Sequence, residues 1–166
     1  LNVVESLIGA GADIDKATKR GYTALMITSQ IGHGAIVEAL LQAGADIEKA
    51  DAYGTTALIW ASQSGHGAIV EALLQAGADI DKATNDGTTA LMIASQYGHA
   101  AIVEVLLQAG ADIDKATNDG TTALMIASQY GHAAIAEVLL QAGADVDKAA
   151  NDGHTALMIA SQYGHA

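Results

Sequence analysis

The sequence is periodic, and its period of 33 residues constrains the fold more than any other feature. Gly21, Gly54, Gly87, Gly120 and Gly153 are spaced by this step, and so are His33, His66, His99, His132 and His165. Gly-Ala-Asp recurs from Gly11, Gly44, Gly77, Gly110 and Gly143. Residues 84–116 and 117–149 differ at only two positions, Val103 against Ala136 and Ile113 against Val146. Self-similarity at such a step marks a supersecondary unit that cannot bury its apolar face alone and leans on its neighbours. The expectation is a single array over 1–166. It has full repeats at 18–50, 51–83, 84–116 and 117–149, and partial repeats at 1–17 and 150–166. The chain opens at Leu1 rather than Met, as expected of a piece of something longer.

Within a repeat the pattern predicts helix, turn, helix and extended loop. Residues 89–97 form a short helix that Thr89 is placed to cap, its hydroxyl taking an orphan backbone N–H. Gly98 ends it by turning left-handed. Residues 101–108 form a second helix, with Ile102, Val103, Leu106 and Leu107 making one apolar stripe. Gly110 stops that helix, and residues 112–120 are a polar connector ending in an Asn-Asp-Gly turn. Isolated helices shorter than ~12–15 residues are marginal in water, so stacking must supply the stability. The partial repeat 1–17 reads as a second helix without its first, and 150–166 as a first helix without its second.

These elements together resemble the ankyrin repeat. They are the Gly-x-Thr-x-Leu start, the Gly-His pair, the Ile-Val-x-x-Leu-Leu run and Gly-Ala-Asp, all in register along the whole chain. The resemblance implies an all-α, ankyrin-type α-solenoid of antiparallel helix pairs with hairpin loops projecting like a cupped hand. It also implies a concave recognition surface of loop tips and first helices. The sequence departs from the family pattern in three ways. Thr-Ala-Leu-Met stands at 89–92, 122–125 and 155–158, and Thr-Ala-Leu-Ile at 56–59, where the family has Thr-Pro-Leu-His. The loss of Pro removes a preset first turn. The loss of His exchanges inter-repeat hydrogen bonds for packing. The family's loop Asp survives only as Asp51, the other positions being Thr18, Thr84, Thr117 and Ala150.

Several chemistries are disfavoured. There is no Cys, which removes disulfides, thiolate metal sites and cysteine nucleophiles. With 7 Lys and Arg against 19 Asp and Glu, the net charge is −12, the wrong sign for nucleic acid or an anionic membrane. No apolar run approaches the roughly 20 residues of a membrane span. The His ladder suits no metal. Zinc ligands lie about 2.0–2.1 Å from the ion, whereas helices one repeat apart are separated by about 10 Å. The expected role of each His is to tie its inter-helix turn to the next unit. The loop from Asp79 fails as a calcium site, because its fifth and twelfth positions are Ala83 and Ala90. Its expected role is a solvated turn. Ser and Thr recur at fixed offsets rather than forming one singular nucleophile, so no catalytic residue, cofactor or metal is expected. With neither Cys nor a targeting signal, the expected compartment is the cytoplasm.

Positions that differ between repeats are free of the shared packing constraint. They are Lys19, Arg20, Tyr22 and Ile31 in the first full repeat, and Tyr53, Trp60 and Ser64 in the second. Later come Asn85, Asp86, Tyr97, Asn118, Asp119, Tyr130, His154 and Tyr163. Trp60 replaces the Ile of the other repeats and reads either as a recognition anchor or as a better-filled gap. The expected function is non-enzymatic binding of a protein partner through these residues. The alternative is a structural spacer or an end-to-end filament, since neither end carries a polar capping repeat.

Overall fold

The structure is a computed structural model and describes residues 3–165. It divides into two compact units, Leu1–Asp79 and Ile80–Ala166. The first holds α1 (Val3–Gly9), α2 (Ala24–Ile31), α3 (Gly34–Gln42), α4 (Ala57–Ser64) and α5 (Gly67–Gln75). The second holds α6 (Ala90–Tyr97), α7 (Ala100–Gln108), α8 (Ala123–Tyr130), α9 (Ala133–Gln141) and α10 (Ala156–Tyr163). Among the described residues the extended pairing is limited to isolated bridges at the hairpin bases, such as Ala116 with Thr122.

Each helix pair starts and stops where its side chains require. Thr89 lies in an extended conformation and its hydroxyl accepts the Met92 N–H at 3.4 Å, capping α6. Gly98 closes α6 with φ +79°, and its N–H reaches the Ala94 carbonyl. A Cβ at Gly98 would sit 2.9 Å from Cε1 of His132, so a neighbouring repeat as well as the backbone requires glycine there. The second helix α7 begins at Ala100, one residue before the position expected from its apolar stripe, with His99 as the flanking residue. It ends at Gln108. Ala109 remains right-handed and Gly110 carries the left-handed turn.

Packing follows the stripe. In the first unit α2 lies along α4, and α3 and α5 back them. In the second, α6, α8 and α10 form one row, and α7 and α9 pair behind α6 and α8. Leu73, Leu106 and Leu139, the same repeat position, are fully buried. Ala61, Ala94 and Ala127 are fully buried too, which lets first helices approach closely. Met26, Ile59, Met92 and Met125 occupy the departure from the family pattern and are buried, so apolar packing stands in for the absent imidazole in these repeats, whereas Met158 at the same position of α10 is exposed. The terminal helices are the exceptions. α1 has no buried residue, and α10 buries only Ala156.

Candidate interaction surface

The hairpin tips are built by small polar side chains. The Thr117 carbonyl accepts the Gly120 N–H at 2.9 Å, and its hydroxyl accepts the Thr121 N–H at 3.0 Å while donating to the Asp119 carboxylate. Thr84, Asp86 and Thr88 repeat this arrangement. At Asp51 the carboxylate itself accepts the Tyr53 and Thr55 N–H groups at 2.9 Å. Thr in place of Asp thus keeps the hairpin bond and moves the negative charge two residues along, onto exposed Asp86 and Asp119. The Thr84 and Thr117 hydroxyls hold these carboxyls below the usual carboxylate range. Ala150 has no such group. There Asp152 accepts the His154 N–H at 3.0 Å and faces the His154 ring, and the backbone bond is the first cause of its lowered pKa.

Adjacent tips are joined. In the second unit Asn118 donates its N–H to the Asp86 carbonyl at 2.9 Å and its amide to the Asn85 carbonyl at 3.0 Å. Asn151 does the same to Asp119 and Asn118, at 2.8 and 3.0 Å. In the first unit the Ala52 N–H reaches the Arg20 carbonyl at 3.0 Å. The structure therefore brings Asn85 and Asn118 together as a stitch between hairpins. Asn151, which the differing positions did not single out, belongs to the same stitch.

The first helices carry Trp60, Tyr97, Tyr130 and Tyr163, while Tyr22 and Tyr53 lie on the hairpins before them. Tyr22 and Trp60 face each other with ring centroids 5.8 Å apart. Trp60 is half-buried, and its Nε1 is wholly buried with no hydrogen-bond partner among the described residues. Ser64 is half-buried; Lys19 and Arg20 are exposed. Ile31 is 56% exposed and Tyr53 68%. In the second unit Tyr97, Tyr130 and Tyr163 are each about half exposed and stack on His99, His132 and His165 at 6.4, 6.3 and 6.5 Å. The Gln96 amide donates to the Tyr130 hydroxyl at 2.9 Å and Gln129 to Tyr163 at 3.3 Å.

Those glutamines also receive the His ladder. His132 and His165 place Nε2 3.0 Å from the Gln96 and Gln129 carbonyls, and His66 lies 3.1 Å from that of Gln30. A carbonyl can only accept, so Nε2 carries the proton. The tie runs back to the preceding repeat, not forward as expected. Gln was missed because it recurs in every Ser-Gln pair, which made it look like packing rather than a connector.

The acidic connectors are also more than solvated turns. Asp15 accepts the Asp46 N–H at 2.9 Å, and Glu48 accepts that of Asp79 at 2.8 Å. In the second unit Asp81 and Asp114 accept the N–H groups of Asp112 and Asp145, both at 3.0 Å. Each carboxylate fastens the next repeat's connector. Among the described residues no group of three or more His, Cys, Asp or Glu could hold a metal ion.

These features define a class of protein built from repeated helix pairs whose hairpins are joined tip to tip by backbone and amide bonds. A family model described as ankyrin repeats (3 copies) matches residues 1–84, 77–150 and 114–166. The chain belongs to the ankyrin repeat family, and its fold is all-α and of the ankyrin type. No curated protein matches it. Ankyrin repeats generally mediate protein–protein interaction and are generally non-enzymatic. Among the described residues no helix is long and apolar enough to cross a membrane.

Proposed function

We propose that the chain binds protein partners on its hairpin tips and the exposed faces of its first helices. The observation that carries this reading is the exposure of large apolar groups where the repeats differ. In the first unit Ile31, where the later repeats have Tyr, is exposed on α2 one turn from the shared Ile27, and Tyr53 stands at a hairpin tip. Exposed aromatic side chains beside a cation are the usual composition of binding hot spots. Lys19 and Arg20 supply that cation in a chain whose net charge is −12. This unit therefore favours a peptide segment that combines apolar side chains with a carboxylate. The second unit offers different chemistry. The half-exposed rings of Tyr97, Tyr130 and Tyr163 present stacking area, and Asp86, Asp119 and His154 present polar groups at the tips. The net negative charge disfavours nucleic acid.

Trp60 supports binding indirectly, by backing Tyr22. The test immobilises the chain and compares the proteins it retains from an extract of its source cells. Ile31→Ser and Tyr53→Ala should each cut retention of the specific partners about tenfold, the loss of one modest hot spot. Neither should move the melting temperature. Glu137→Gln, on the exposed side of α9, serves as the control. Unchanged retention in both variants would remove this face from the binding site.

A further inference from the structure

An Asp-Gly pair stands at the tip of two neighbouring hairpins, Asp86-Gly87 and Asp119-Gly120. Such a pair is chemically labile, because glycine has no Cβ to shield its amide nitrogen. The glycine nitrogen attacks the aspartate Cγ, a C–N bond forms, and the carboxyl hydroxyl leaves with the amide proton as water. Water then opens the resulting succinimide. Opening at the main-chain carbonyl breaks the original C–N bond, routes the chain through Cγ and leaves isoaspartate. Water is lost and regained, and no other reactant is needed.

The structure holds every group in that reaction. The nucleophile is tied, because the Gly120 N–H donates to the Thr117 carbonyl at 2.9 Å and Gly87 donates to that of Thr84 at 2.9 Å. The electrophile is tied, because the Asp119 carboxylate accepts the Thr117 hydroxyl and, at 3.2 Å, the Thr121 N–H. Thr84 and Thr88 do the same for Asp86, with the N–H at 3.3 Å. Both contacts favour the ionised carboxyl, which resists attack and has no hydroxyl to lose. The peptide between them is tied from outside. Ring closure turns it about the aspartate Cα–C bond, and the following hairpin holds the carbonyl that must swing. The Asp86 carbonyl accepts the Asn118 N–H at 2.9 Å, and the Asp119 carbonyl accepts that of Asn151 at 2.8 Å. A Cβ at Gly87 would stand 2.9 Å from the Asn118 nitrogen, so that hairpin also fills the space over the reacting peptide.

We propose that Asp86 and Asp119 are latent isomerisation sites, each closed by the threonine of its own hairpin and by the asparagine of the next. Isoaspartate forms there only while the hairpins are apart, as in a local opening. The product has an extra main-chain carbon and a displaced carboxylate, so the tip cannot remake its own bonds and the stitch together. The modification therefore marks chains that have opened.

The test ages the folded 166-residue chain, and the same chain unfolded in urea, in mildly acidic buffer. Cleavage after lysine releases 83–115 and 116–148, which differ in mass through Val103 against Ala136 and Ile113 against Val146. Electron-transfer fragmentation then locates isoaspartate in each. At both sites the folded chain should form it at least about tenfold more slowly than the unfolded one. Thr117→Val should speed Asp119 about tenfold, the loss of one bond to a charged group, and leave Asp86 unchanged. Thr84→Val should do the reverse, and takes its place should Thr117→Val fail to fold. Thr117→Ser keeps the hydroxyl and should keep the wild-type rate. Asn118→Ala should speed Asp86, on the preceding hairpin, and not Asp119. Equal rates in the folded and unfolded chains would overturn the proposal. So would a Thr117→Val chain in which neither site changes, or in which both speed up alike, which would mean that isomerisation follows unfolding of the whole unit. Asn118→Ala without effect at Asp86 would remove the neighbouring hairpin from the protection and overturn it equally.

Discussion

A single hydroxyl sets the environment of the tip carboxylate in two of the hairpins, those of Thr84 and Thr117. Thr117 accepts one backbone N–H and donates a hydrogen bond to the Asp119 carboxylate, which lies below the usual carboxylate range chiefly for that reason. Thr117→Val keeps the shape and removes both bonds. It should lower stability by about 1 kcal/mol, the net worth of an ordinary intramolecular hydrogen bond. It should also return the Asp119 carboxyl towards its ordinary value of 3.8, which a carbon-detected NMR titration reads directly. An Asp119 titration that does not move would assign the lowered value to the Thr121 bonds instead. A second position at this scale is Gly98, held by its left-handed backbone and by the His132 ring. Gly98→Ala should destabilise by about 1–3 kcal/mol. His132→Ala in the same chain should recover only the collision and not the backbone strain. A double-mutant cycle in urea separates the two, and a cycle with no coupling would show that the ring moves aside freely.

At the scale of the helix, identical sequence does not mean identical worth. Thr89, Thr122 and Thr155 occupy the same cap position, but the first two bond to their helices through the side chain and Thr155 does not. Thr122→Ala should therefore cost about 1 kcal/mol. Thr155→Ala should cost little, and chemical denaturation of the two variants gives the comparison. Equal losses would show that the Thr155 cap bond does form in solution. The same contrast explains what was legible in the sequence. Thr caps, helix-ending glycines and the apolar stripe act within a few residues, so a local pattern states them fully. The register of the array was legible because every repeat fills the same core. The links between repeats were harder to read. Gln96 binding both Tyr130 and His132, Asn118 reaching Asn85, and Asp81 holding the Asp112 N–H all join residues about one period apart. An invariant residue at such a position has the same sequence signature whether it packs, caps or bridges. The backward direction of the His ladder has no sequence signature at all.

Over the whole molecule, charge acts on the fold at two ranges and with opposite signs. The short-range contribution comes from Asp86, Asp119 and Asp152, whose carboxyls all lie below their ordinary value of 3.8 when folded. A depressed carboxyl stabilises the folded chain at any pH above the unfolded value. That contribution fades as pH falls from about 3.8 through the folded value, because the unfolded state then binds the proton first. The long-range contribution is repulsion among 19 acidic side chains balanced by only 7 basic ones. It is a surface effect that salt screens over roughly 8 Å at physiological ionic strength. Adding salt at neutral pH should therefore raise the melting temperature, while the hairpin bonds, short and directional, keep their strength. The two ranges separate in one experiment. Thermal melts with and without added salt, at neutral pH and near pH 4.5, where the chain carries no net charge, should show the salt gain shrinking at the lower pH, because partial protonation has balanced the charges there. A melting temperature that falls with salt at neutral pH would mean that the carboxylates are held by attraction to backbone N–H groups strongly enough to outweigh their mutual repulsion.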